Sequence, residues 1–445
     1  MSLPLRRLAV AVVAVSALLV PGASAAPDAP VLAPLGATAP VPSAAAVTTA
    51  LAGPSGVPAL GGDLAGEVVD ARSGSVLWQR AASAPHLVAS TQKLLVAAAA
   101  LSVLGPGDGP VTTLLTAGAI AGGVLHGDLY LRGGGDVLLQ TMPTSAPTSA
   151  PTTTWPATAS LDALAAQLAA AGVRTVTGSV VGDGTLFTGP AEAPGWRPTY
   201  VSQGSVAPVT ALEVDHGRIG TSNVRSLDPA TTAAGYLRGR LQAHGITVEG
   251  GTRRGGTPAG AVQLAAVTGA PVAVQVQEML ENSDNDLAES LGRRLALALH
   301  LPPTFAGASA AIMQTLSRAG LPIGSTHLTD ASGLSRDDGV TPQLLTAVLR
   351  AAATTRADWR PLLVGLPVAA FSGTLADRDT GPAGVGAAGV VRAKTGNIEG
   401  VTAVAGTVVD AHGRLLLFSF VTDRAVGLVA SENALDVLAG ALVPL

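Results

Sequence analysis

Ser90-Thr91-Gln92-Lys93-Leu94-Leu95-Val96-Ala97-Ala98-Ala99-Ala100-Leu101-Ser102-Val103-Leu104 is the most informative segment of the chain. Its Ala/Leu richness predicts a helix over 90–104. Ser90 and Lys93 are three residues apart, which makes them neighbours on one helical face. A serine hydroxyl is a poor nucleophile until a base takes its proton, and a lysine that has lost its own proton can be that base. A serine at a helix start also gains from the dipole, and its N–H is free to donate to an oxyanion. Alone the pattern is weak, since in most proteins it is an N-cap beside a surface lysine.

On the N-terminal side, Gly66-Glu67-Val68-Val69-Asp70, a turn through Arg72-Ser73-Gly74, and Ser75-Val76-Leu77-Trp78 read as a β-hairpin. Structure is expected to begin near Leu64. Residues 26–61 are rich in Ala, Pro, Gly and Ser with few charges, the composition of a linker. Arg6 and Arg7, the apolar run Leu8 to Val20, and Ala23-Ser24-Ala25 read as a signal peptide over 1–25. The run is short for a bilayer span, and an uncleaved anchor is the rival reading. No later stretch is long and apolar enough to span. The mature chain is therefore expected outside the cytoplasm, in the periplasmic or cell-wall space or secreted.

On the C-terminal side the texture changes over 105–270. Short strand-like runs such as Leu129-Tyr130-Leu131 and Val180-Val181 alternate with Gly-rich turns. Thr141 to Ser160, a Thr/Ser/Pro stretch, reads as an exposed loop. Helical patterning returns over 272–281, 286–300 and 304–319, the last stopped by Gly320 and Pro322. Thr341-Pro342 is an N-cap and N1 pair that opens another helix. Val401 to Val409 and Leu415 to Val421 form a second hairpin, and a helix over about 426–442 follows. Strands at both ends with helices between them predict one α/β domain, 62–104 with 271–445, closed by its termini. The region 105–270 is inserted into it as accessory structure, outside the catalytic machinery.

Composition excludes several classes. Net charge is −4 and pI about 6.0, which argues against nucleic acid and against a polybasic membrane anchor. There is no cysteine, so disulfides, thiol catalysis and Cys-based metal sites are out. The seven histidines are scattered with no pair at ligand spacing, and neither metal nor cofactor is expected.

Lysine usage sharpens the reading. Of 26 basic residues only Lys93 and Lys394 are lysine. Arginine keeps its proton at accessible pH, whereas a buried lysine can release it. Lys394 opens Lys394-Thr395-Gly396 on a strand-like run. Its glycine would let a substrate backbone lie close to the strand. Strict alternation points Thr395 away from Lys394, so a local twist is needed to bring both to one ligand. Ser283-Asp284-Asn285 sits in a polar break between two helices, where each residue is also a good cap.

Together the three segments resemble the S-x-x-K, S-D-N and K-T-G signature of class A β-lactamases and penicillin-binding proteins, in the same order. Four more segments narrow the resemblance: Gly127 to Asp136, Val176 to Asp183, Asp330-Ala331-Ser332-Gly333-Leu334-Ser335-Arg336, and Leu366-Pro367 through Gly373-Thr374-Leu375. Over about 62–445 the chain resembles the D-alanyl-D-alanine carboxypeptidase/endopeptidase family, the class C low-molecular-mass penicillin-binding proteins of peptidase family S13. That resemblance implies a β-lactamase/transpeptidase-like domain, an antiparallel sheet flanked by helices, with a largely β inserted region. It implies action on peptidoglycan stem peptides through an acyl-enzyme, and inhibition by β-lactams.

Carried over, Ser90 is the nucleophile and Lys93 its base. Ser283 relays a proton to the departing D-alanine, and Asn285 positions Lys93 and the substrate amide. Lys394 and Thr395 bind the terminal carboxylate beside Gly396. The backbone N–H groups of Ser90 and Asn397 form the oxyanion hole. The family usually has Ser or Thr after K-T-G, and Asn397 departs from that. A β-lactamase is the alternative enzyme, but class A enzymes deacylate with a glutamate. The single glutamate between Asn285 and Lys394 is Glu289, expected to cap its helix or face solvent. A non-catalytic wall-binding protein on the same fold is the alternative from another class.

Overall fold

The computed structural model describes residues 39–142, 159–220, 222–378 and 386–445. The signal-peptide reading, and residues 143–158 of the Thr/Ser/Pro loop, lie outside them. A five-stranded antiparallel sheet runs in the order Arg392–Ile398, Val401–Val409, Leu415–Thr422, Ala65–Asp70 and Val76–Arg80. Its strands come from both ends of the described chain. Along Leu415–Thr422, Leu416, Phe418 and Phe420 enter one core and Leu417 and Val421 the other. This period-two division buries the sheet on both faces, which is why the strand reads as a nearly unbroken apolar run.

The core on one face is built around the helix Lys93–Val103, in which Leu94 to Leu101 are all sealed. Its alanines let the helices Val272–Glu281, Asn285–Ala298, Phe305–Arg318 and Pro342–Thr354 approach closely. A helix apolar all round belongs in the centre of a layer. The first turn departs from the expected α-helix: Ala89–Gln92 is a 3₁₀ turn, with Ala89 at φ +47°.

One expectation needs correction. Residues 26–61 read as linker, yet Ser43 caps a helix over Ala44–Ala52. Val47 and Leu51 of that helix are fully buried in the core on the other face, with the C-terminal helix Leu428–Gly440. Two apolar side chains four residues apart suffice to dock a short helix, and the surrounding Ala/Pro/Ser composition hides them.

Residues 111–268 carry two further sheets. One runs Thr252–Arg254, Val180–Asp183, Leu129–Arg132, Val111–Thr116, Val262–Thr268, and the other has four two-residue strands. The helices Leu161–Ala170 and Pro229–Ala243, unread in the sequence, join these strands in a separate core. Asp228 and Pro229 were an available start signal, with the Asp228 carboxylate accepting from Thr231 N–H at 3.2 Å. Gly235, Gly239 and two threonines lower the propensity of the second helix, and packing overrides it.

Candidate active site

The turn Ala89–Gln92 lies against the edge strand Arg392–Ile398, and this contact explains Gly396. A Cβ there would sit 2.5 Å from the Val88 carbonyl oxygen and 2.9 Å from the Ser90 nitrogen. The glycine therefore admits the protein's own serine-bearing turn rather than a substrate backbone. Gly333 does the same from the other side, where a Cβ would meet the Ala89 carbonyl oxygen at 2.1 Å. Ala89 is thus held in its left-handed conformation between two glycines. Gly396→Ala is expected to push the strand off the serine turn and slow acylation by labelled penicillin about 10- to 100-fold. Wild-type acylation in that variant would refute the contact's importance.

Lys93 is completely buried. Its Nζ lies 2.8 Å from Ser90 Oγ, 2.7 Å from Asn285 Oδ1 and 2.7 Å from the Ser332 carbonyl oxygen. The orientation of the Asn285 amide follows from its other end, where Nδ2 donates to the Ser205 carbonyl at 2.8 Å. Both remaining partners of Nζ are carbonyl-type acceptors. A neutral amine has two N–H donors and one lone pair. The two acceptors take the donors and leave the lone pair for the Ser90 O–H. Burial pulls the Lys93 pKa down to about 8, against the attraction of Asp330, Asp284, Glu289 and Asp286.

Two buried carboxylates shape the loop that supplies the Ser332 carbonyl. Asp330 accepts from six donors: Gln92 Nε2, Trp196 Nε1, Ser332 Oγ and the N–H groups of Gly333, Leu334 and Ser335. Glu289 accepts from the N–H groups of Ala331 and Ser332. Glu289 therefore neither caps its helix nor faces solvent. Burial first, then Asp330, push its carboxyl up to about 8.

Ser283 and Asp284 show the cap and the motif in one turn. Asp284 caps the helix Asn285–Ala298 through the Leu287 N–H at 2.8 Å, while Asn285 reaches Lys93. Ser283 stands at φ +58°. Among the described residues no hydrogen bond joins its hydroxyl to Ser90, Lys93 or Lys394. Lys394 is fully buried, and its Nζ turns back to the Thr395 carbonyl at 2.8 Å. Burial, with Lys93 and Arg378 nearby, holds its pKa well below the usual value. The Thr395 hydroxyl contacts the Thr374 hydroxyl at 2.6 Å, so the two side chains leave the strand toward different partners. Asn397 Nδ2 donates to Glu432 at 3.2 Å.

The inserted region is part of this site, against the expectation that it stands apart. It supplies Ser205 to Asn285, His216 to Asp284, and Ala207 N–H and Arg225 to Asp286. Sequence reasoning missed Asp330, Glu289, Ser205 and His216 as parts of the arrangement. The Asp-x-Ser-Gly pattern of a turn pointed to the first. Among the described residues no group of His, Asp and Glu could hold a metal, and no helix is long and apolar enough to cross a membrane.

Known proteins share both sequence and fold with the chain. The model of the D-Ala-D-Ala carboxypeptidase 3 (S13) family matches residues 47–226 and 221–442. A carboxypeptidase of Mycobacterium tuberculosis is 38% identical over 91% of this chain and 85% of its own length. Carboxypeptidase DacB of Mycolicibacterium smegmatis is 37% identical over 93% and 87%. The crystal structure of penicillin binding protein 4 from Haemophilus influenzae superposes with a TM-score of 0.73 at 22% identity, over 90% of this chain and 98% of that one, which speaks for the fold. The match runs from the buried helix at Val47 through the inserted strands to the C-terminal helix, so the chain belongs to the D-Ala-D-Ala carboxypeptidase 3 (S13) family.

Proposed function

We propose that the chain is a serine-type D-Ala-D-Ala carboxypeptidase that acts on peptidoglycan stem peptides, with endopeptidase action on cross-links open to it. The observation that carries the reading is the buried Lys93 Nζ, 2.8 Å from Ser90 Oγ and beside two carbonyl-type acceptors, which occupy the donors of its neutral form and leave that form's lone pair for the Ser90 hydroxyl. Lys93 takes the hydroxyl proton as Ser90 attacks the scissile carbonyl. The N–H groups of Ser90 and Asn397 stabilise the oxyanion. Ser283 passes the proton to the leaving amine, and Asn285 holds Lys93 and the substrate amide. Lys394 and Thr395 receive the terminal carboxylate, which supplies the counter-charge that Lys394 lacks in its buried position. Export is part of the same reading, through the leader at 1–25, since the substrate lies outside the cytoplasm.

The direct test is incubation with defined stem peptides followed by mass analysis. Loss of one terminal D-alanine is expected from the wild type and not from Ser90→Ala. Unchanged cleavage by Ser90→Ala would remove Ser90 from the mechanism.

A penicillin adduct at Ser90 should persist for minutes after free drug is removed. A peptide acyl-enzyme loses its leaving group to solvent, whereas the β-lactam leaving group stays tethered and obstructs water. Rapid hydrolysis then needs a separate water-activating base. Glu289 is tied to the Ala331 and Ser332 N–H groups, and no second glutamate stands between Asn285 and Lys394. Intact-protein mass spectrometry follows the decay, and decay within seconds would favour the β-lactamase reading.

A further inference from the structure

A polar cleft of about 400 Å³ runs from Ser283 and Asn285 into the inserted region, where His216 forms part of its wall. His216 is the middle of a strained turn. Asp215, His216 and Gly217 all have positive φ, at 53°, 56° and 64°. Two non-glycine residues in that region are costly and persist only where their surroundings over-determine them. Here they do: the Asp215 carboxylate accepts from Thr141 N–H at 3.1 Å and Thr141 Oγ1 at 2.6 Å, and Arg225 donates to the His216 carbonyl. The turn aims the imidazole at the catalytic domain, with Nδ1 2.8 Å from Asp284 Oδ2.

Asp284 stands between Ser283, itself left-handed at φ 58°, and Asn285, which holds Lys93. Two strained turns, one from each region, therefore meet at a single ion pair. We propose that His216 is a positioning residue for acylation, and that its ion pair with Asp284 fixes the Ser283-Asp284-Asn285 turn so that Asn285 Oδ1 meets Lys93 Nζ. The charges agree with the geometry. Burial alone would raise the Asp284 carboxyl, and His216, the Leu287 N–H and Arg225 overcome it and hold it at about 2. Asp284 in turn raises His216 above its ordinary value against the burial of the ring. The inference rests on the carboxypeptidase reading and adds that the catalytic turn is incomplete without the inserted region.

The test separates binding from chemistry. Single-turnover acylation by labelled penicillin gives the noncovalent dissociation constant and the acylation rate constant independently. His216→Ala is expected to lower the rate constant about 10- to 100-fold with little change in the dissociation constant. Asp284→Asn keeps the helix cap, because Asn caps as well as Asp, and should lose a similar factor. The double variant should lose no more than either single one. A His216→Ala rate constant within twofold of wild type, or losses that multiply in the double variant, would overturn the proposal. Should His216→Ala fail to fold, Asp284→Asn decides alone, and an unchanged rate constant there overturns it. A wild type that never acylates refutes the carboxypeptidase reading, whereas intact rates in both wild type and variants refute only the role of His216.

Discussion

Lys93→Arg is expected to lower acylation of the protein by about 10² to 10⁴, the usual range for loss of a general base. A guanidinium has no lone pair to offer at accessible pH, so the proton of Ser90 has nowhere to go. The same argument sets the pH dependence of the wild type. With Lys93 at about 8, the neutral form is the minority at pH 7, and acylation should rise with pH and level off above 8. Labelled penicillin, followed from pH 6 to 9, measures both effects. A flat profile, or near-wild-type acylation by Lys93→Arg, would remove Lys93 as the base. From the motif alone, Lys394→Arg looks milder, because the charge is kept. The structure changes that expectation. Lys394 is sealed beside Lys93 and Arg378, so a bulkier, permanently charged group must enter a closed space. Its loss should fall on binding and on stability, leaving the two lysines distinguishable by which constant moves.

Asp330→Ala is expected to cost about 4 kcal/mol or more of stability, the rare upper range for a single substitution. The carboxylate is fully buried and serves six donors, among them the backbone of Gly333, Leu334 and Ser335. Removing it strands those donors away from water, and a stranded buried donor costs about 1–3 kcal/mol. The loop would also release the Ser332 carbonyl from Lys93, so acylation should fall with stability. Asp330→Asn keeps part of the acceptor capacity and should fall between. Denaturant unfolding of the three proteins decides it, and a shift below about 1 kcal/mol for Asp330→Ala would show that the loop has other support.

Much of this was legible in the sequence, and the reason is locality. The two hairpins at 65–80 and 401–422 announce themselves by alternation and turns, and Thr341-Pro342 marks a helix start that the structure bears out. The lysines were legible through their scarcity. What could not be read depends on distant partners. Asn285 is oriented by the carbonyl of Ser205, and a backbone carbonyl has no sequence signature. His216 looked like any scattered histidine, since nothing near it names Asp284 as its partner. Glu289 sits on an ordinary helical pattern, and only the fold of 330–335 over it makes it internal. The helix at Ala44–Ala52 was hidden in a different way, by a composition that usually means disorder.

The pairing of Ala65–Asp70 with Leu415–Thr422 has a consequence in time. Asp70 meets Arg414 across 344 residues of chain. Entropy charges little extra for so long a loop, but contacts of this separation form slowly and late. The inserted strands and helices at 111–268 close over much shorter spans and can gain their own core first. A chain emerging from its N-terminus therefore carries the Ser90 turn for a long interval before the strand with Lys394 arrives to complete it. Until then the serine has neither the edge strand nor Lys394 beside it. The assembled site is thus the last feature such a molecule acquires, and a partly synthesised copy lacks it.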